Sequence, residues 1–248
     1  MSPEAILEGQ GITKSYGGVM ALYRVDIRLY PQEILGLIGP NGSGKTTLFN
    51  ALSRTIAIDE GRVLFKGQDV TGRRPYQVAR MGLSRTFQVI RVYRSLTLLE
   101  NMLISRSWRH THPWGLLRMS QQETYHRAWD LLEFFRIAHL AHEPAGNLSG
   151  GQRRLLELAM AMMPDPDVLL LDEAMSGINP ALIEEIKERI RELRGRQGKT
   201  FLMVEHNIQF IADMCDRVVV LHQGQKLAEG TPQEITANEA VIEAYLGG

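Results

Sequence analysis

The feature that most constrains this chain is the octapeptide Gly39-Pro40-Asn41-Gly42-Ser43-Gly44-Lys45-Thr46, which follows the apolar run Ile34–Ile38. Glycines at 39, 42 and 44 let the backbone curl so that successive N–H groups face one anion. A helix starting near Thr46 adds its own N-terminal donors to the same cradle. Lys45 supplies a point charge for the outer phosphates of a nucleotide, and Thr46 a hydroxyl for Mg²⁺. A glycine-rich turn can match G-x-x-x-x-G-K-[ST] by chance, but a strand before it and a helix after it are the context the cradle demands.

The rest of the pattern surrounds that loop with an α/β core. Residues 5–38 read as short strands with turns: Ile27 and Leu29 alternate with polar neighbours, and Pro31-Gln32 interrupts the chain. Gly61–Asp69 reads as a second strand pair turning at Gly67, so this part predicts an antiparallel sheet. From Leu96 to Ala145 the spacing of Trp, Leu and Phe is helical, with an irregular loop over Arg106–Pro113. Beyond Asn147 helix and strand alternate. Val168–Leu171 and Phe201–Val204 are continuous apolar runs, as strands buried on both faces should be. Asn179-Pro180 offers a helix cap and first position, and Leu182, Ile183, Ile186, Ile190 and Leu193 follow at helical spacing until Gly195 or Gly198. Arg217–Glu229 reads as a hairpin turning at Gly224. An α/β nucleotide-binding core, interrupted by a helical insert and joined to an antiparallel edge, is the simplest assembly.

Composition removes several alternatives. In 248 residues, 28 Lys+Arg face 28 Asp+Glu, and that balance argues against a protein whose main business is coating nucleic acid. The single cysteine, Cys215, precludes a disulfide framework within the chain and reads as a small buried residue. No apolar run approaches the roughly 18 to 20 residues that span a bilayer, and the first ten residues carry Glu4 and Glu8 but no basic residue, unlike a secretory signal. The expectation is a soluble chain, with any membrane role exercised through partners.

Two further constellations bear on chemistry. Asp172 and Glu173 end the apolar run Val168–Leu171, at the sheet edge where open α/β folds bind ligands. Successive strand residues point to opposite faces, which divides the work: Asp172 toward Mg²⁺, Glu173 toward an attacking water. Leu148-Ser149-Gly150-Gly151-Gln152 opens a helix with Leu155, Leu158, Ala159 and Met162 on one side. It reads either as a serine cap with flexible glycines or as a second phosphate-binding helix start. A second cradle makes sense if it closes on a nucleotide held by another subunit. His139 and His142, three apart, are a minor alternative as metal ligands.

The phosphate loop, Gln88, Leu-Ser-Gly-Gly-Gln152, Leu-Leu-Leu-Asp-Glu173 and His206 stand in the order seen in ATP-binding-cassette (ABC) ATPases. The chain is similar to that family over essentially its whole length. The resemblance implies a RecA-like P-loop NTPase core with an antiparallel β subdomain and an inserted helical subdomain at about residues 90–163, all within one ATPase domain of residues 1–248. It also implies that two such domains pair head to tail around two ATP molecules. Carried over residue by residue, it assigns nucleotide binding to Tyr16, Gly39, Pro40, Asn41, Gly42, Ser43, Gly44, Lys45, Thr46 and Thr47, and to Ser149, Gly150, Gly151 and Gln152 facing the opposing subunit. Tyr16 would stack on adenine, with a core tyrosine as the alternative reading of the residue alone. Mg²⁺ would be held by Thr46, Gln88 and Asp172, and catalysis would rest on Glu173, His206, Gln88 and Lys45. Ser176–Asn179 would cross the dimer interface. Ala174 stands where the family commonly has proline and Asn179 where many members have aspartate, a neutral amide in place of a charge.

Ala79–Gln88, the ending Ala244–Gly248, the Ser-Gly-Ile-Asn-Pro180 variant and the loop Arg106–Pro113 resemble the branch that serves bacterial uptake of branched-chain and related hydrophobic amino acids. The ATPase of lipopolysaccharide export is a near neighbour, though its segment before the glutamine usually differs from Arg85-Thr-Phe-Gln88. Non-transport relatives in DNA repair carry a long coiled coil between phosphate loop and signature. Here Lys45 and Ser149 are 104 positions apart with no heptad run between them. The implied partners are a second ATPase subunit, identical or a sister, transmembrane permeases and, indirectly, a solute-binding protein, with no nucleic acid. The implied location is the cytoplasmic face of the inner membrane, held there peripherally. The neutral total also conceals a gradient: eight arginines from Arg73 to Arg109 face only Glu100, while Glu229–Gly248 holds four glutamates and no Lys or Arg. The basic stretch reads either as a solvated surface or as the side turned toward permease and anionic headgroups.

Overall fold

The computed structural model describes residues 4–86, 92–105, 121–172, 178–205 and 207–246. In chain order the first elements are β1 (Leu7–Tyr16), β2 (Val19–Leu29), β3 (Ile34–Ile38), α1 (Lys45–Leu52), β4 (Glu60–Phe65), β5 (Gln68–Asp69), α2 (Pro75–Met81) and β6 (Leu83–Arg85). Helices α3 (Leu98–Ile104), α4 (Gln121–Phe134) and α5 (Gly150–Met162) follow. The last part runs β7 (Val168–Asp172), α6 (Pro180–Gln197), β8 (Thr200–Val204), α7 (Ile208–Met214), β9 (Arg217–His222), β10 (Gln225–Gly230), α8 (Pro232–Thr236) and α9 (Glu239–Leu246).

Two sheets result. One is antiparallel in the order β2-β1-β4-β5, and the other runs β10-β9-β3-β8-β7-β6. In the second, β6, β7, β8, β3 and β9 are parallel and β10 adds an antiparallel edge through the Gly224 hairpin. The strand pair expected at Gly61–Asp69 is β4–β5, and the expected strand Ile34–Ile38 is β3.

The apolar runs conceal a period of two. Leu35 and Leu37, Val168 and Leu170, Leu202 and Val204, and Val219 and Leu221 all enter one core, which they share with Leu48, Phe49 and Leu52 of α1 and with the antiparallel sheet. Their neighbours Ile34, Ile38, Leu169, Leu171, Phe201, Met203, Val218 and Val220 enter a second core with α3 to α7. A strand covered on both faces needs apolar residues at every position, and each fully buried one contributes roughly 1.5–3 kcal/mol. The alternation also fixes the strand end: Asp172 has the parity of Val168 and Leu170, and so lies on the α1 face of β7.

Local signals set the helix bounds. The Asn179 carboxamide accepts a hydrogen bond from the Ala181 amide at 2.9 Å, Pro180 is the first helical residue, and α6 ends at Gly198, not Gly195, with φ 66°. His139 and His142 are not on one regular helix: His139 lies in a 3-10 turn of residues 138–140 and His142 beyond it, tilted against Trp129. Among the described residues no three His, Cys, Asp or Glu side chains gather to hold a metal. Of the arginine-rich stretch, Arg85 turns inward, donating to Asn50, Ser53 and Thr55 and lying over the Phe49 ring, while Arg80 covers Tyr76. At the acidic end, Glu229 pairs with Arg217 and Lys226.

Cys215 is buried beside Gly36, and burial, with Asp216, Glu205 and Glu33 nearby, holds its thiol far above the ordinary range. A water-soluble disulfide reagent at about pH 8 is therefore expected to leave the folded chain unmodified and to label it only in denaturant. Rapid stoichiometric labelling of the native protein would contradict this packing.

Candidate functional site

The loop after β3 is shaped by close backbone approach. Gly39 has φ 150°, and a Cβ built there would lie 2.1 Å from the Leu221 carbonyl oxygen. Gly44, the left-handed cap of α1 at φ 102°, would set a Cβ 2.6 Å from the Ala21 carbonyl oxygen. At Gly42 there is space, and only its φ of 77° calls for glycine. The loop is braced from behind by the hairpin turn, where the Gly224 amide donates to the Ser43 carbonyl at 3.0 Å. Tyr245 of α9 reaches the loop from the other side. Burial pushes its phenol up, and a hydrogen bond from the Gly39 amide pulls the other way.

Lys45 is buried, and its ammonium donates to the carbonyls of Gly39 at 2.8 Å and Pro40 at 2.9 Å. It thus sits at the neck of the loop. Asn41, Gly42 and Thr46 are exposed, and Thr47 half-buried, on the open side. The Ser43 hydroxyl is buried and has no hydrogen-bond partner among the described residues. A buried hydroxyl left so costs about 1–3 kcal/mol, which an added oxygen-bearing ligand would relieve. A loop closed to side chains, with a cation at its neck and helix amides at its mouth, fits phosphate.

At the other strand end, Asp172 is buried, its amide donating to the Thr86 hydroxyl at 3.3 Å. Its carbonyl accepts from Arg154 of α5 at 3.0 Å, and Arg154 is itself ion-paired with Glu157 inside the core. Helix α1 packs over β7 and β8, so Asp172 and the first turn of α1 share one face of the sheet. A hydroxyl at Thr46 and a carboxylate at Asp172 are hard oxygen donors that suit Mg²⁺ completed by phosphate oxygens. Glu173, Gln88 and His206 lie outside the described residues, as do Ser176, Gly177 and the loop Arg106–Pro113.

The second helix start is built as a capping box. The Ser149 hydroxyl accepts from the Gln152 amide at 3.2 Å, and the Gln152 side chain accepts from the Ser149 amide at 2.9 Å. Ser149 and Gly150 are exposed, so the first-turn amides of α5 open to the surface, where a helix has no internal acceptor for them. Gly151 lies close against α6, a built Cβ falling 2.0 Å from the Leu182 side chain. Tyr16 is 49% exposed at the end of β1, with the Lys14 ammonium 5.5 Å from its ring centre. The core-tyrosine alternative is excluded.

Sequence reasoning passed over Thr86, Arg154 and the role of Gly224. For Arg154 the signal was available: an Arg-x-x-Glu pair at i and i+3 beside the apolar stripe of α5. Arg154→Met breaks the buried Arg154–Glu157 pair and is expected to cost about 3–5 kcal/mol in urea unfolding, whereas Arg154→Met/Glu157→Met should recover much of it. Equal stability of single variant and wild type would show that the pair is not buried as described.

Comparison with known proteins agrees with this geometry. The family profile described as ABC transporter matches residues 22–176, and that of the branched-chain amino acid ATP-binding cassette transporter matches residues 225–248. The chain is 40% identical over 251 residues to the high-affinity branched-chain amino acid transport ATP-binding protein LivG of Escherichia coli K12, covering 98% of each. It is 40% identical over 246 residues to the probable LivG of Archaeoglobus fulgidus, covering 98% of this chain and 95% of the relative. BraF of Pseudomonas aeruginosa is 36% identical over 250 residues, with 98% of each covered. Among solved structures, a nucleotide-free ATP-binding cassette from an ABC transporter superposes with a TM-score of 0.88 at 33% identity, covering 99% of this chain and 100% of that one. The ADP conformation of such a cassette gives the same values.

Proposed function

This chain belongs to the ABC transporter family of ATP-binding cassettes, and we propose that it is the ATP-hydrolysing subunit of a membrane importer for branched-chain or related amino acids. The observation that carries the ATPase reading is the loop itself: Gly39 and Gly44 pressed against neighbouring backbone, Lys45 at the neck, and Asp172 on the same sheet face. The solute is supported by the full-length relatives named for branched-chain amino acid transport and by the profile over the carboxyl-terminal 24 residues, 225–248.

In this reading Tyr16 stacks on adenine, and backbone amides of residues 41–47 bind the phosphates. Lys45 leaves its carbonyl partners for the outer phosphate oxygens. Thr46, Gln88 and Asp172 would hold Mg²⁺, which would supply positive charge to offset that of the phosphates. Glu173 takes the proton of the attacking water, and His206 contacts the γ-phosphate. Ser149, Gly150, Gly151 and Gln152 close on the nucleotide of a second ATPase subunit, a reading supported by the exposed place of Ser149 and Gly150 at the start of α5.

The path across the bilayer belongs to permease subunits: among the described residues no helix is long and apolar enough to cross a membrane. A solute-binding protein delivers to those permeases, and the chain works peripherally on the cytoplasmic face. Co-expression with the neighbouring genes should recover it from membranes with hydrophobic permeases, and recovery with DNA or ribosomes would oppose this function.

Glu173→Gln is expected to bind ATP, to lose turnover by about 100-fold or more, and to accumulate a closed dimer. Phosphate release at a near wild-type rate would remove Glu173 from the role of base.

A further inference from the structure

The hairpin turn between β9 and β10 contains two residues, Gln223 and Gly224, at φ 47° and 77°. Positive φ at both central positions is what a two-residue type I′ hairpin demands, and it explains the glycine locally. Local conformation does not explain what the turn touches. The Gly224 amide donates to the Ser43 carbonyl at 3.0 Å, and the Gly224 carbonyl accepts from the Tyr23 amide of β2 at 2.8 Å. One peptide segment is therefore bonded to the phosphate loop on one side and to the antiparallel sheet on the other.

There is no slack in this junction. A Cβ on Gly224 would lie 2.8 Å from the Ala21 carbonyl oxygen, 3.1 Å from its carbon and 3.4 Å from the Leu22 Cα. A Cβ on Gly44 would meet the same Ala21 oxygen at 2.6 Å, and the Gly224 Cα lies 3.6 Å from that position. The Ala21 carbonyl is wedged between two glycines. Every atom in the way at Gly224 is backbone, so nothing can yield by changing a rotamer.

Strand β2 is also what carries the far end of the site. Tyr16 pairs with Val19 across the β1–β2 turn, four residues before Tyr23, or about 13 Å along the strand. A nucleotide that stacks on Tyr16 and places its phosphates on residues 39–47 must span from one sheet to the loop of the other. That span is held where Gly224 joins the two.

We propose that Gly224 is a positioning residue for the nucleotide: by pinning β2 to the phosphate loop it sets the distance between the aromatic shelf at Tyr16 and the phosphate cradle. The inference rests on the nucleotide reading above. A side chain at Gly224 must push β2 away from the loop by a few tenths of an ångström. The cradle, still anchored by β3 and α1, keeps its shape. The base then no longer reaches its shelf.

Calorimetric titration of the full-length chain with Mg-ATP and with inorganic tripolyphosphate, which has no base, separates these effects. Gly224→Ala should weaken ATP about 10-fold, the share that base stacking supplies, and change tripolyphosphate by less than about twofold. Gly11→Ala is the matched control, since Gly11 has φ 58° but nothing within 4 Å of a built Cβ, and it should change neither affinity. Added to Tyr16→Ala, the Gly224 substitution should cost ATP nothing further. Equal loss of both ligands in Gly224→Ala, or loss of neither, would overturn the proposal. A wild-type chain that binds neither ligand would instead overturn the nucleotide reading, and this inference with it. A measurement on the unmodified protein covers a variant that does not fold. Tripolyphosphate should slow hydrogen exchange of the Tyr23 amide, which is bonded to Gly224 and not to the cradle, and unchanged exchange there would count against the staple.

Discussion

The chemistry of this chain hangs from β3, a five-residue strand buried on both faces whose next residue has no room for a side chain. β3 pairs with β8 on one side and β9 on the other, so it cannot shift without breaking two parallel ladders. At Gly39 the backbone turns past the Leu221 carbonyl into the loop of residues 40–44 and then into α1. A glycine there is the condition under which strand, loop and helix connect at all. The shape of the proposed anion cradle is thus a consequence of how tightly the sheet is packed.

The two cores on either side of that sheet divide the labour. On one face α1 lies over β7 and β8, and the parity of β7 puts Asp172 there too, which is how residues 46 and 172 come to serve one ion in the proposed site. On the other face α5 carries Ser149–Gln152 at its start and buries its body against the sheet. Arg154 joins the faces through the Asp172 carbonyl. In the proposed mechanism, one subunit's signature helix is therefore tied to the strand end of its own site while its N-terminus reaches its partner's. The antiparallel sheet is a third piece, fastened to the loop by backbone contacts at Gly44 and Gly224.

Most of this was legible where the determinant is local. The phosphate loop, the Asn179 cap and the Gly67 and Gly224 turns each depend on a few adjacent residues, and sequence spacing reports them directly. Gly195 and Gly198 were indistinguishable as helix ends because either could take a left-handed φ; it is Gly198 that does so, its amide closing on the Arg194 carbonyl. Tyr16 could not be placed as core or surface from sequence, since strand alternation weakens at the bulges of β1. Arg154 and Arg85 were passed over for a common reason: charge reads as solvent exposure, whereas here each cation is turned inward onto carbonyl, hydroxyl or carboxylate oxygens. Gly224 was read correctly as a turn, but its contact with Ser43 spans 181 positions and no local pattern encodes it.

The affinity of folded Gly39→Ala for Mg-ATP, measured by calorimetry with its melting transition checked, tests most directly whether close backbone packing makes the site. A Cβ at this position meets the Leu221 carbonyl at 2.1 Å and must open the loop at its neck. Affinity should fall on the order of 100-fold or more, equivalent to about 2.7 kcal/mol. Wild-type affinity in a cooperatively folded Gly39→Ala chain would contradict the claim that close backbone packing makes the site.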